Sequence, residues 1–298
     1  MKMPRLKRNT KIAISLVYYA LVIAFRCGLR LAGRPVRSRL IILYYHGLPA
    51  AFRLKFARQM DLLQRFACVL PASYRGDLPS DRRCVAITFD DAFQSVFENA
   101  IPELAAHSFH ATIFVPVGFV GRNPRWEMEE GCSDLDEVVM TTEQLRGLNP
   151  SAVSIGSHTK THSSITALDK KRARDEIESS RYQLAELSGQ DIRTFSFPYG
   201  HHDSSAVVMC RHAGYEHVYS IVPEEVDTTN PEILRGRTKV EPSDGLVEFF
   251  LKFNGAYVWM AHVAALRQKQ RSIKGVKHDR FEFSFKHKWS PAKNPKKR

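Results

Sequence analysis

The feature that most restricts the fold of this chain is a set of short, nearly unbroken apolar runs separated by helix-like stretches. The runs lie at Leu40–Tyr45, 85–89, 111–117, 153–155, 194–197 and 217–221. A strand with one face in water alternates apolar and polar residues, whereas a strand covered on both faces stays apolar throughout. Repeated βα units around a mainly parallel sheet give that texture, so the sequence predicts an α/β fold. Helices are predicted over 52–66, 95–107, 142–148, 169–188 and 204–213. In the fourth of these, Asp169 is placed to cap the first turn, Ile177, Leu184 and Leu187 recur at helical spacing, and Gly189 can end it. The stretch 121–141, charged and holding Trp126, reads as an insertion loop near one end of the sheet.

The 298 residues, 44% of them hydrophobic, can bury a sizeable core in one or two domains. The formal charge of +13 is not spread evenly. Residues 1–40 carry ten Lys/Arg and no acid, and residues 267–298 carry twelve Lys/Arg against Asp279 and Glu282, which leaves the centre net acidic. A duplex-binding domain concentrates its cations on the folded surface that meets phosphate, so this layout argues against a nucleic-acid partner. The terminal Lys/Arg-rich stretch, 267–298, reads as a solvated, disordered tail. Five cysteines, widely spaced and without a CxxC pair, indicate neither a disulfide framework nor a cysteine zinc site; Cys84 and Cys210 read as buried thiols.

At the amino terminus, basic residues precede Ile12 to Phe25, fourteen residues without a charge, and Arg26, Arg30, Arg34, Arg37 and Arg39 follow. A spanning helix needs about 20 apolar residues and gains no orientation signal from cations on both flanks. A cleaved signal peptide fits the order of charges, but no small-x-small site follows. A helix lying in the interface, its arginines meeting anionic headgroups, explains both flanks. The sequence therefore predicts a membrane-associating segment over 1–39, with secretion to the cell envelope as the alternative.

Chemistry is concentrated at strand ends. Val85-Ala86-Ile87-Thr88-Phe89-Asp90-Asp91 puts two carboxylates at the carboxyl end of a buried strand, where α/β folds build their sites. His158 and His162 follow the run at 153–155, four residues apart; on one turn of helix both rings would point the same way. With a carboxylate from another strand they supply three N/O ligands, the number found in a catalytic divalent site that keeps a position open. Zinc suits that donor set first, with cobalt, nickel or manganese as substitutes. Two adjacent aspartates can divide the labour, one binding the cation and the other accepting a proton as general base.

Thr88-Phe89-Asp90-Asp91, then His158-x3-His162, then Phe195-Ser196-Phe197-Pro198-Tyr199-Gly200 resemble, in order, the first three motifs of the polysaccharide deacetylase (NodB-homology) family. The likeness extends loosely from Leu40 to about Val240, and the run from Leu168 to Gly200 shares it, including the helix around Glu176-Ile177. It implies a deformed (β/α) barrel over 40–266 and metal-dependent removal of N-acetyl or O-acetyl groups from a carbohydrate, a polysaccharide or glycolipid. Position by position, it makes Asp90 the base and Asp91, His158 and His162 the metal ligands. Pro198 and Tyr199 fall in the motif lining the substrate groove, where the Tyr199 backbone N–H can help hold an oxyanion; as plain structure they are a strand-ending turn.

Two departures from the family pattern stand out. Relatives often carry an arginine at the position of Ser196 to orient the base; here Arg237, in a segment resembling their LPRIxV stretch, is the candidate to supply that charge. The late LxH motif that supplies a catalytic acid is not evident, since His262 sits in a helix-like context. Leu43-Tyr44-Tyr45-His46-Gly47 is instead similar to the YH segment of circularly permuted relatives acting on poly-N-acetylglucosamine, which gives His46 the acid role. The competing readings are a catalytically silent carbohydrate-binding relative and a membrane-surface adaptor acting through the basic ends. Retention of Asp90, Asp91, His158 and His162 together speaks against silence.

Overall fold

The computed structural model describes residues 5–128 and 133–273. A long helix α1 (Arg5–Leu31) leads into β1 (Leu40–Tyr45), α2 (Arg53–Phe66), β2 (Ala67–Val69) and β3 (Arg83–Phe89). Then come α3 (Ile101–Ala106), β4 (Ala111–Val115), α4 (Thr142–Arg146), β5 (Val153–Ser157), α5 (Lys170–Ser188), β6 (Thr194–Ser196), α6 (Ser204–His212) and β7 (His217–Tyr219). The short strands β8 (Leu234–Arg235) and β9 (Thr238–Lys239) and the helices α7 (Leu246–Phe253) and α8 (Trp259–Ile273) complete the described chain.

One curled, all-parallel sheet runs in the order β8-β7-β6-β5-β4-β3-β1-β9, with β2 paired to the start of β3, and gives the deformed (β/α) barrel. Each strand is apolar on both sides for the reason the sequence suggested. Ile41, Leu43, Val85, Ile87, Ile113 and Val115 pack outward on helix residues such as Phe56, Met60, Ile177 and Leu184. The alternate residues Leu40, Ile42, Cys84, Ala86, Phe114 and Tyr219 fill the inside of the curl. Asp169 caps α5 by accepting from the Arg172 N–H, and Gly189 ends it with φ 71°.

Several expectations need correction. The uncharged run 12–25 lies within a longer helix, since α1 spans 27 residues and takes in cations on both flanks. The run at 111–117 stops being strand at Val115 because Pro116 cannot donate to the ladder, and a 3₁₀ turn, Val117–Phe119, follows. The helix expected over 95–107 opens with a π turn, Val96–Ala100, before α3. The strands β2, β8 and β9, two or three residues each, are too short to leave a periodic signal. Helix α8 runs on to Ile273, into the basic segment expected from 267; the rest of that segment, like Cys132, lies outside the described residues.

Candidate active site

Three strand ends and one crossover deliver the polar groups. Asp90 continues the pairing of β3 with β1, its N–H donating to the Tyr45 carbonyl at 2.9 Å. Adjacent strand residues point to opposite faces. Here Asp91 and Ala92 both take left-handed backbone conformations, φ 70° and 51°, and this bend brings the second carboxylate to the same end of the barrel as the first.

His158 directly follows β5, and its N–H continues the ladder to Val115. The two histidines are not on a helix, contrary to expectation. They bracket a loop in which Thr159 and His162 have φ 66° and 55°. Buried Glu176 of α5 holds that loop: its carboxylate accepts from the Lys160 and Thr161 N–H groups, both at 2.8 Å, and from the Thr161 hydroxyl at 2.6 Å. A charged acceptor with three donors fixes a backbone that has no helical hydrogen bonds of its own.

Asp91, His158 and His162 thereby converge, all buried, with one ligand atom from each lying within 4.8 Å of the others. Asp91 Oδ1 is 3.1 Å from His162 Nε2 and 3.6 Å from His158 Nε2, yet has no hydrogen bond. His158 Nδ1 lies 2.8 Å from the Ser196 carbonyl, which accepts its proton and leaves the Nε2 lone pair facing Asp91. Burial pushes the His158 imidazole down to about 4, so the ring is neutral at neutral pH. Two inward imidazole nitrogens and a buried, unpartnered carboxylate oxygen fit a divalent cation.

The other aspartate has a different environment. Arg237 Nη1 and Nη2 donate to the two Asp90 oxygens at 2.7 and 2.8 Å. The remaining guanidinium donors go to the Thr88 and Ser196 hydroxyls and the Ser220 carbonyl, so all five are used. The cation is fully buried and lies 4.7, 5.3 and 5.8 Å from the ring centroids of Tyr44, Phe114 and Tyr219. Burial alone would raise the Asp90 carboxyl; Arg237 overrides it and holds the group below its ordinary value. The approach of Arg237 depends on Gly236, where a Cβ would strike the Val222 carbonyl.

The rim is aromatic on one side. Trp126 stacks on His162 with centroids 4.3 Å apart, and the Tyr199 ring meets the same imidazole edge-on at 4.9 Å. Pro198-Tyr199-Gly200 forms a 3₁₀ turn with Tyr199 left-handed at φ 58°, and the Tyr199 hydroxyl donates to the Glu127 carbonyl at 3.3 Å. His46, half-buried at the end of β1, is close enough that its positive charge would lower both the Asp90 and the Asp91 carboxyl. His262 is exposed on α8, away from these residues.

Residues 77–218 match the family model for polysaccharide deacetylase. Over those residues the chain carries a polysaccharide deacetylase domain. It is 23% identical over 216 residues to the polysaccharide deacetylase homologue YxkH of Bacillus subtilis, covering 69% of this chain and 72% of that one. Its fold is similar to IcaB from Ammonifex degensii, at TM-score 0.61, 24% identity, 74% of this chain and 97% of that one. A Streptococcus pyogenes deacetylase, PplD, solved with acetate, gives TM-score 0.60 at 17% identity over 73% of this chain and 99% of that one. Deacetylation of polysaccharide, a hydrolytic reaction, is the activity of this family.

Sequence reasoning singled out Asp90, Asp91, His158, His162, Arg237, Tyr199 and His46, and the fold gathers them at one end of the barrel. It missed the brace from Glu176, the aromatic cage around Arg237 and the contact of Trp126 with His162. A lone tryptophan in a charged loop was the available signal for the last.

Proposed function

We propose that the chain is a metal-dependent hydrolase that removes acetyl groups, N-acetyl foremost, from a hexosamine-containing polysaccharide or glycolipid. The observation that carries this reading is the pairing of an Arg237-locked Asp90 with the convergent Asp91, His158 and His162. Asp91, His158 and His162 would hold the cation, zinc in the first place. Bound there, it would act as a Lewis acid, polarising the acetyl carbonyl and acidifying water. Asp90, kept ionised by Arg237, accepts the proton of the attacking water. Tyr199 offers its backbone N–H to the developing oxyanion, and Pro198 shapes that turn. His46 protonates the departing amine nitrogen, a poorer leaving group than an alkoxide oxygen unless it gains that proton.

The acetylated glycan is the partner this machinery needs. The N-terminal helix supports membrane association at the cell envelope: α1 is long and apolar enough to cross a bilayer and only 6% of its apolar window is buried. The test is acetate release from a panel of acetylated glycans, with metal content measured on the same preparation. Acetate release that is lost with a chelator and restored by zinc supports the proposal. Glycan binding by metal-loaded protein without any acetate release overturns it in favour of a silent relative.

A further inference from the structure

The residues of α1 split into two faces. Arg8, Ile12, Ser15, Tyr19 and Arg26 recur every three to seven residues and face the barrel. Arg8 Nε donates to Glu248 at 2.6 Å and its Nη2 to Asp244 at 3.2 Å. Ser15, fully buried, accepts from the Trp259 indole at 2.9 Å, and the Tyr19 ring meets Phe250 edge-on. Arg26 donates to both oxygens of Glu225, at 2.9 and 2.8 Å, and Glu225 also accepts from Arg83. The helix is thus fastened near both ends and in the middle.

The opposite face carries Ile14, Val17, Leu21 and Phe25 at helical spacing, 43%, 62%, 65% and 67% exposed, while Leu16 and Ile23 are exposed on another flank. Exposed Lys7, Arg30, Arg34 and Arg37 frame this stripe. A groove of about 450 Å³ along one flank of the carboxyl-terminal half of α1 joins apolar Phe25 and Leu29 to cationic Arg37 and Arg39. Apolar side chains at the centre and cations at the margins complement an anionic bilayer surface.

The docking also sets a direction. Arg8 reaches Asp244, whose carbonyl accepts from Gln59, and Gln59 accepts from the Tyr45 hydroxyl at the end of β1, next to His46. Arg26 reaches Glu225, beside Val226, which bridges to the first residue of β1. The helix therefore lies antiparallel to the strands, along the outside of the barrel. Arg8 and Arg26 are about 27 Å apart along the helix, close to the thickness of a hydrocarbon core. A docked α1 that crossed the bilayer would carry Asp244, Glu248 and Lys252 into lipid, where charges are strongly disfavoured.

We infer that α1 stays docked and lies in the plane of an anionic membrane, so that the barrel axis runs parallel to the surface and the catalytic mouth opens sideways along it. This rests on the membrane association proposed above. A glycan would then enter while running along the membrane rather than pointing into it.

The test uses the full chain with Cys27→Ser and either Asn9→Cys or Arg34→Cys, two exposed positions flanking the apolar stripe. Sealed membrane vesicles from producing cells are treated with an impermeant maleimide before and after permeabilisation, and the labelled peptides are read by mass spectrometry. The inference expects both positions or neither to react before permeabilisation. Reaction at only one position overturns it and leaves membrane association standing, since the helix then spans. Recovery of the whole chain in the soluble fraction overturns both readings. Purified protein should bind phosphatidylcholine vesicles roughly tenfold more tightly when they contain phosphatidylglycerol; equal binding overturns the anionic preference.

Discussion

Asp90 and Asp91 are adjacent in sequence, equally buried, and differently employed. Asp90 is gripped on both oxygens by a guanidinium whose five donors are all engaged and whose faces are lined by aromatic rings. Asp91 has a buried oxygen with no hydrogen bond, opposite two imidazoles of which His158 is neutral. The first carboxylate has a fixed counter-charge in Arg237; the second, against its burial, is held well below the usual carboxylate range by imidazoles, His162 foremost. The contrast shows that adjacent acids acquire separate tasks from what the fold sets against each of them, and here a left-handed bend at Asp91 makes the separation possible.

The strongest way to break this contrast is to remove a ring from the Asp91 side. In His158→Ala and in His162→Ala, stoichiometric metal binding should disappear and acetate release should fall to background, because two ligands rarely retain a catalytic cation. Full metal content in both variants, measured by elemental analysis, would show that the pocket is not a metal site. On the other side, Asp90→Asn should keep its metal while turnover drops by roughly two to four orders of magnitude. If Asp90→Asn loses metal and Asp91→Asn keeps it, the two tasks are exchanged.

The Arg237 grip can be tested as stability. Arg237→Ala leaves a buried carboxylate uncompensated and should cost about 3–5 kcal/mol in chemical denaturation. Adding Ser196→Arg should recover part of that loss, since the Ser196 hydroxyl already lies 2.7 Å from the Arg237 guanidinium. A cost no larger than that of a surface residue, or an Arg237→Ala loss that Ser196→Arg deepens, would show that Asp90 is held by something else.

His46→Ala should reduce turnover on an amide by a smaller factor, roughly a hundredfold, with metal retained and a lesser effect on an activated ester. Equal losses on amide and ester would remove His46 from the acid role.

The smallest expected effect comes from a control within the same barrel. His217 also has a buried, unpartnered nitrogen, but its charged neighbours are Arg235 and Arg75, so it offers a cation nothing. Burial, then those arginines, push its imidazole from 6.5 down to about 3. The unfolded chain therefore binds a proton that the folded chain refuses, and stability present above about pH 6.5 is lost as pH falls toward 3. His217→Gln should flatten that slope in denaturation midpoints taken across the range; an unchanged slope would assign it to other groups.

Much of the site was legible because its donors sit next to strands whose apolar runs are unmistakable: Asp90 and Asp91 after β3, His158 after β5, His46 after β1. The spacing of His158 and His162 suggested a helix that does not exist, since a four-residue interval is equally served by a loop with two left-handed residues. The partnership of Arg237 with Asp90 could be expected only from a family likeness, because 147 residues separate them and no local periodicity records a contact across the sheet. The Glu176 brace was invisible for a related reason: a glutamate in a charged helix reads as solvated unless the loop packed on it is known.

The place of β1 in the sheet bears on how the molecule is assembled. The first of the described strands in chain order is not an edge strand: it lies between β3 and β9, and β9 is paired with nothing else among the described strands. Strands β3 to β7 can associate with near neighbours as they emerge, whereas the seam between β1 and β9 must wait until almost the whole barrel has been translated. Arg237 arrives on that closing seam, immediately before β9. Until then the Asp90 carboxylate has no counter-ion and cannot be buried cheaply. Nascent chains should therefore hold an open, water-filled sheet with a solvated Asp90, and gain the competent site only in the final step of closure.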